Sequence, residues 1–531
     1  MKEKGFTLVE LLAVIVILAI IALIATPMIL GVIEKVNKSA AIESANGIMD
    51  AAEKYMMESM ILGTNASKFE FPGDTNLSYK GEKPESGTLL VDDNGNMSIT
   101  VKINGYCVRK RYLESVPQVV EDEVCEGGTY NEEILNGTDP VLTSSLIPVT
   151  IKDNRTVIYA DTNEEWYNYG NKVWANAVIL VDNPSKTYSV GETILESDIE
   201  SYFVWIPKYS YKLWDLGNYD SVTTIDESKV HSIDIVFGTS NTSDTNKNEC
   251  TTPLVSGESG SCEVGDYMTQ PAFITLGVNG IWVGKFETTG DTSNITVKPN
   301  NTSLRNINVA TMFDLAINYE SSLNSHMMKN TEWGAVAYLS HSIYGINKEI
   351  NINNNSDYLT GYSAVEGTDQ SSYPGTTGKD SNVTLAYNTK TGYKASTTEN
   401  ISGIYDMAGG AYEYMAAYKE GQLGSSGLTQ ETIDANLKYF DIYNSSSGPT
   451  TYNYRILGDA TGEMGPFYYY ENKDGISRNN NSWYDDQSDF ASHWFRRGGS
   501  VGIGLFSGQF NFGNIGGHAL NYMGFRLVLA P

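Results

Sequence analysis

Basic residues, histidine and cysteine are all scarce in this 531-residue chain, and each shortage removes a class of function. Only 36 Lys and Arg stand against 64 Asp and Glu, a net charge of −28. A nucleic-acid groove needs a basic stripe to neutralise phosphates. The best basic cluster in the first 150 residues, Arg109-Lys110-Arg111, is small and is followed closely by Glu114, Glu121, Asp122 and Glu123. No nucleic-acid partner is expected. The five histidines, His231, His326, His341, His493 and His518, show no close metal-ligand spacing, although a fold can bring His326 and His341 together. No metal or cofactor is expected, with a structural calcium ion left open. The four cysteines fall into two local pairs, Cys107 with Cys125 and Cys250 with Cys262, in a spacing that resembles no zinc site. In an exported chain such pairs read as disulfides, each stabilising by about 3 kcal/mol in the chain-entropy model. Free thiols are the alternative.

Charge is also missing from Leu11 to Ile33, a run of 23 residues without Asp, Glu, Lys or Arg. At about 1.5 Å per residue, a helix of that length crosses a bilayer. Ahead of it stand Lys2-Glu3-Lys4-Gly5-Phe6-Thr7-Leu8-Val9-Glu10. An ordinary secretory signal is cut after a short apolar core, which is discarded. Here the best processing site, Gly5-Phe6, precedes the apolar run, so the mature chain keeps its hydrophobic helix and starts with it. Glu10 is the anomaly, because a carboxylate at the membrane end of such a helix is costly without a partner.

These residues resemble the class III signal of type IV prepilins. The resemblance implies cleavage after Gly5 by a prepilin peptidase and N-methylation of Phe6. It also implies pairing of Glu10 with the free amine of a neighbouring subunit's first residue, which fixes the stagger between pilin subunits. Pro27 sits inside the helix where a kink is expected and where pilin-like proteins often carry a proline. A plain membrane anchor with a tolerated Glu explains neither Gly5-Phe6-Thr7 nor the placement of Glu10. The expected location is the cytoplasmic membrane, as a single-pass protein, before assembly, and then the extracellular pilus or cell surface.

From Glu34 the pattern turns amphipathic. Val36, Ala40, Ala41, Ala45, Ile48, Met49, Ala52 and Met56 recur at helical spacing, and Gly63-Thr64-Asn65 ends the helix near Leu62. Thr88–Val91 and Met97–Ile103 read as strands joined by Asp92-Asp93-Asn94-Gly95-Asn96, a hairpin signal. The division expected is a leader (1–5), a pilin helix (6–62), a small β head (63–145) and a large second domain (146–531). The fold class expected is α+β.

Six segments of the second domain resemble the formylglycine-generating, sulfatase-modifying-factor branch of the C-type-lectin fold. They are Tyr202–Tyr209, Ile281–Glu287, Asn330–Leu339, Gly403–Tyr414, Arg496–Ser500 and Gly524–Leu529. Asn330–Leu339 is expected to be an amphipathic helix, and the hallmark turn has Gly410 where the family usually has Asn. Oxidases of this branch hold copper with a late cysteine pair, but no cysteine follows Cys262; related iron enzymes use a histidine cluster. The resemblance therefore implies a non-catalytic domain, with Asp406 and Glu413 bonding buried backbone. Between Gly499 and Gly524, Gly alternates with Phe, Asn, Gln, His and Tyr, a composition similar to an antibody paratope. Gln509, Asn514, His518, Asn521 and Tyr522 are the expected contact residues for a surface ligand, glycan or protein. Phe506, Phe510 and Phe512 divide evenly between contact and core. The chain then reads as a minor, tip or large decorated pilin that displays an adhesin. The alternative is a pseudopilin of a secretion or DNA-uptake machine whose second domain is purely structural.

Overall fold

The computed structural model describes residues 12, 33–57, 68–73, 77–91, 97–110, 117–120, 125, 137–153, 155–212, 232–238, 268–365, 384–443, 458–461, 468–471, 477–481 and 493–531. Gly5, Phe6, Glu10, Cys250 and Cys262 lie outside these residues. No helix among the described residues is long and apolar enough to cross a membrane. Almost all of the uncharged run, 11–33, lies outside them too.

The chain forms two compact units, Met1–Asn131 and Glu132–Pro531. In the first, helix α1 (33–57) packs on a five-stranded antiparallel sheet in the order β1 (Lys68–Phe71), β2 (Ser86–Val91), β3 (Met97–Ile103), β4 (Tyr106–Lys110), β5 (Gln118–Val120). The hairpin expected from sequence is β2–β3, with Val91 opposite Met97. The buried face of α1 is Ala41, Ala45, Ile48, Ala51 and Ala52, set against Phe69, Leu89, Ile99, Val101 and Val108. Packing starts one turn later than the sequence pattern predicts, since Val36 and Ala40 are exposed. Small residues dictate this contact. A Cβ on Gly47 would lie 2.5 Å from the Lys80 carbonyl oxygen, and Ser44 Oγ accepts the Glu82 amide at 3.0 Å. Cys107 on β4 is bonded to Cys125, with Cα atoms 5.6 Å apart, so the bridge closes the segment that contains β5.

The second unit holds two principal sheets. The first runs β12 (His326–Met327), β18 (Leu527–Leu529), β11 (Gly280–Gly284), β10 (Ile199–Pro207), β8 (Asn176–Leu180), β6 (Ile147–Ile151), β7 (Val157–Tyr159), β9 (Thr193–Ile194). The second runs β14 (Asp441–Tyr443), β13 (Tyr412–Lys419), β15 (Trp494–Gly498), β16 (Gly508–Ile515), and the short β17 (Met523–Gly524) pairs with β13. Many aromatic groups are buried, and several buried tryptophans donate their ring N–H to backbone carbonyls distant in sequence. Trp174 Nε1 donates to Tyr344 O, Trp333 Nε1 to Gln509 O and Trp494 Nε1 to Leu423 O, at 2.7–2.9 Å. Turn-rich backbone is thereby pinned to the core rather than left unsatisfied.

Two expectations change here. Residues 137–145, expected at the end of the first head, belong to the second unit. Trp205 Nε1 donates to Thr138 O at 2.9 Å and Trp282 Nε1 to Val141 O at 2.7 Å. Helix α2 (Asn330–Ser340) exists where expected but is buried on every side, not amphipathic. Its polar first turn faces partners instead of water: Asn330 Nδ2 bonds Tyr443, the Thr331 amide bonds Asp441, and Glu332 bonds His326 and the Lys329 amide.

Candidate binding face and the ionic centre beneath it

Strand β13 carries the site. Successive strand residues point to opposite faces, so Tyr412 and Tyr414 face one way while Glu413 faces the other. Glu413 lies opposite Arg497, and Tyr414 opposite Arg496.

On the inner side Glu413 meets Arg526, whose Nε donates to Oε2 at 3.0 Å. Arg526 sits between β17 and β18 and so joins the two sheets. It also donates to Gly284 O of β11 at 2.8 Å and to Tyr405 O at 3.0 Å. Asp406 accepts from the Gly361 amide and from Asn353 Nδ2, each at 2.8 Å. Glu287 accepts the Ala411 amide at 2.9 Å and the Ser303 hydroxyl. Gly410 has to be glycine: its φ is +67°, and a Cβ would lie 2.4 Å from Glu287 Oε1. All four ionisable groups are fully buried. Burial, then the charges of Asp406 and Glu413, push Glu287 well above the usual carboxylate range. Burial also raises Asp406 and Glu413, with Arg526 pulling each back down. Three enclosed carboxylates thus meet one guanidinium, and the charged form is disfavoured most strongly at Glu287. Asp406 and Glu413 spend their oxygens on backbone amides and on Arg526.

Arg497 is the second buried guanidinium, donating to Asp459 O, Ala460 O and Asn511 O at 2.7–2.9 Å. The histidines have separate surroundings. His326 bonds Glu332 at 2.9 Å, His341 packs 5.8 Å from the Phe510 ring, and burial lowers His341 to about 4. His231 lies outside the described residues. Among the described residues no three His, Cys, Asp or Glu side chains are placed to hold a metal ion.

The outer side carries the expected contact residues, and the structure divides them. His518 and Asn521 are exposed and Tyr522 is half-buried. Gln509 and Asn514 are buried, at 0 % and 8 % exposure, and cannot touch a ligand on this surface. The reason is that 508–515 is strand β16, paired along β15, and not flexible loop. Phe510 and Phe512 are core residues. Neither polar end of Gln509 has a hydrogen-bond partner among the described residues. A buried unsatisfied group costs about 1–3 kcal/mol, so Gln509→Leu should raise the denaturant midpoint and leave ligand binding unchanged. Lower stability in urea unfolding would show that the amide is satisfied in solution.

The exposed loop is held firmly. Asn306 N donates to Leu520 O at 2.9 Å, Tyr412 N to Tyr522 O at 3.0 Å, and Tyr414 OH to His518 O at 3.0 Å. Burial and then nearby Tyr522 keep the Tyr414 phenol protonated against the pull of Arg496. Two neighbours were missed from sequence, Arg496 and Arg305. The first was legible: adjacent strand residues point oppositely, so of Arg496-Arg497 one had to leave the core.

Residues 1–26 match the prokaryotic N-terminal methylation motif. This places the N-terminus with pilin- and pseudopilin-type surface proteins, for which other pilin subunits and a prepilin peptidase are the general partners. No curated protein matches the chain.

Proposed function

We propose that this chain is a type IV pilin-like subunit that displays a non-catalytic, C-type-lectin-fold adhesin domain of the sulfatase-modifying-factor type at the cell surface. The observation that carries the reading is the pairing of a methylation motif at 1–26 with an exposed, backbone-pinned loop, His518–Tyr522, on a separate compact unit. The six segments that resemble the lectin-fold branch support it, because three of them converge on one centre: 281–287 supplies Glu287, 403–414 supplies Asp406 and Glu413, and 524–529 supplies Arg526. The full enclosure of those carboxylates supports a non-catalytic role. Leader cleavage and methylation at Gly5-Phe6 and assembly through Glu10 belong to the same proposal, as does membrane residence before assembly.

The test is an array of glycans and surface proteins probed with the full-length protein in detergent. Asn521→Ala with Tyr522→Ala should abolish binding, a loss of about tenfold or more, with unchanged thermal unfolding. If every array ligand binds the double variant normally, the contact face lies elsewhere. If no ligand binds at all, the pseudopilin reading, with a purely structural second unit, takes over.

A further inference from the structure

Beside the exposed loop stands a cation whose Nε has no hydrogen-bond acceptor among the described residues. Arg496 lies on β15 between Tyr414 of β13 and Gly513 of β16. Its guanidinium carbon sits 4.1 Å from the centroid of Tyr412, and Tyr412 meets Tyr522 edge to face with centroids 6.3 Å apart. Gly513 leaves space for this arrangement, since a Cβ there would come within 3.0 Å of Arg496 Nε. That Nε is shielded from water and has no acceptor among the described residues. Arg526, by contrast, uses all three of its nitrogens on Glu413 and two carbonyls. A second guanidinium flanks the same loop: Arg305 lies 3.9 Å over the Tyr358 ring and donates to Asn521 O.

A guanidinium held against an aromatic ring has already lost part of the freedom that binding would cost. Its strongest partner is an anion with two coplanar oxygens, met by paired hydrogen bonds. The rest of the face offers ring surface from Tyr522 and an amide from Asn521, which suit the C–H face and hydroxyls of a sugar. The chain's charge of −28 repels a polyanion at long range. It penalises far less a sugar bearing one charge. We propose that Arg496, Tyr522 and Asn521 form a subsite for a carboxylate- or sulfate-bearing sugar. The assignment rests on the reading of His518–Tyr522 as the ligand face and names the ligand class.

The experiment titrates full-length protein in detergent with glucuronic acid, glucose 6-sulfate and glucose, followed by ligand-observed NMR. One or both anionic sugars should bind at least about tenfold tighter than glucose, and comparison of the two tells carboxylate from sulfate. Arg496→Met should remove that preference. Arg496→Lys, which keeps the charge but not the paired donors, should retain only part of it and serves if the Met variant fails to fold. Equal binding of glucose and the anionic sugars overturns the proposal, as does a preference that survives in both variants. Tighter binding of a tetraglutamate peptide than of either sugar assigns the site to acidic peptides instead. If anionic sugars fail while array ligands still depend on Asn521 and Tyr522, only the acidic-sugar assignment falls. If no array ligand depends on those residues, the ligand-face reading falls with it.

Discussion

Replacing Arg526 with Met should cost the second unit about 3–5 kcal/mol, the usual penalty for removing one partner of a buried ion pair. The side chain lies between β17 and β18, one in each principal sheet, and donates to Glu413, Gly284 O and Tyr405 O at once. Its loss strands two carbonyls and removes the positive charge that draws Glu287, Asp406 and Glu413 downward. The effect should depend on pH, and the sign is fixed. A carboxyl whose folded pKa is raised contributes stability that is fully present below its unfolded pKa, about 4.5, and lost as pH rises through the folded value. Removing the guanidinium raises the folded values further, so the variant should fall progressively behind the parent between pH 5 and 8 and be closest to it near pH 4.5. Glu287→Gln, which keeps an acceptor for Ala411 N and offers a donor to Ser303, should flatten the parent's own decline. Urea unfolding across that pH range checks both. An Arg526→Met penalty that is small, or constant with pH, would mean that the carboxylates are already neutral and that the guanidinium is only a hydrogen-bond donor.

How far this centre was visible beforehand depends on what each residue type can report. Glycine at strained positions and alternating apolar residues speak for local geometry, and the β2–β3 hairpin was legible on those grounds. The helix Asn330–Ser340 was legible in extent but not in burial. Asn330, Thr331 and Glu332 looked like a solvent face because their partners, Tyr443, Asp441 and His326, come from other parts of the chain. The same blindness misplaced Gln509 and Asn514. Polar residues between glycines have the composition of a contact loop, yet backbone pairing with β15 turns the segment into a buried strand. Composition carries no register. Where register can be inferred, as for the opposed side chains of Arg496 and Arg497, the sequence did hold the answer. The methylation motif at 1–26 is legible for the opposite reason: its pattern is local and is set by distance from the start of one apolar run.

Substituting Glu10 with Ala should leave processing and membrane insertion intact while blocking incorporation into filaments. The methylation motif at 1–26 supports a pilin-type N-terminus, and Glu10 is the last charge before 23 uncharged residues. A carboxylate at that depth is destabilised by the bilayer until it meets a cation. In the proposed subunit the free amine of Phe6 on a neighbour would provide one and would itself be unpaired before assembly, so that assembly would replace two lone charges with a pair. Removing Glu10 leaves the amine buried without a partner, at a cost of about 3–5 kcal/mol per subunit. That is a factor of at least about 100 in each association step, and a polymer meets the penalty at every addition. Cells expressing the variant should hold a chain that begins at Phe6 by mass spectrometry, in the membrane fraction, with none in the sheared surface fraction. Glu10→Gln should fail as Glu10→Ala does, because the amide keeps the size and hydrogen bonding but not the charge. If Glu10→Gln assembles normally, hydrogen bonding rather than charge sets the stagger, and if Glu10→Ala does so as well, the anchor is only an anchor.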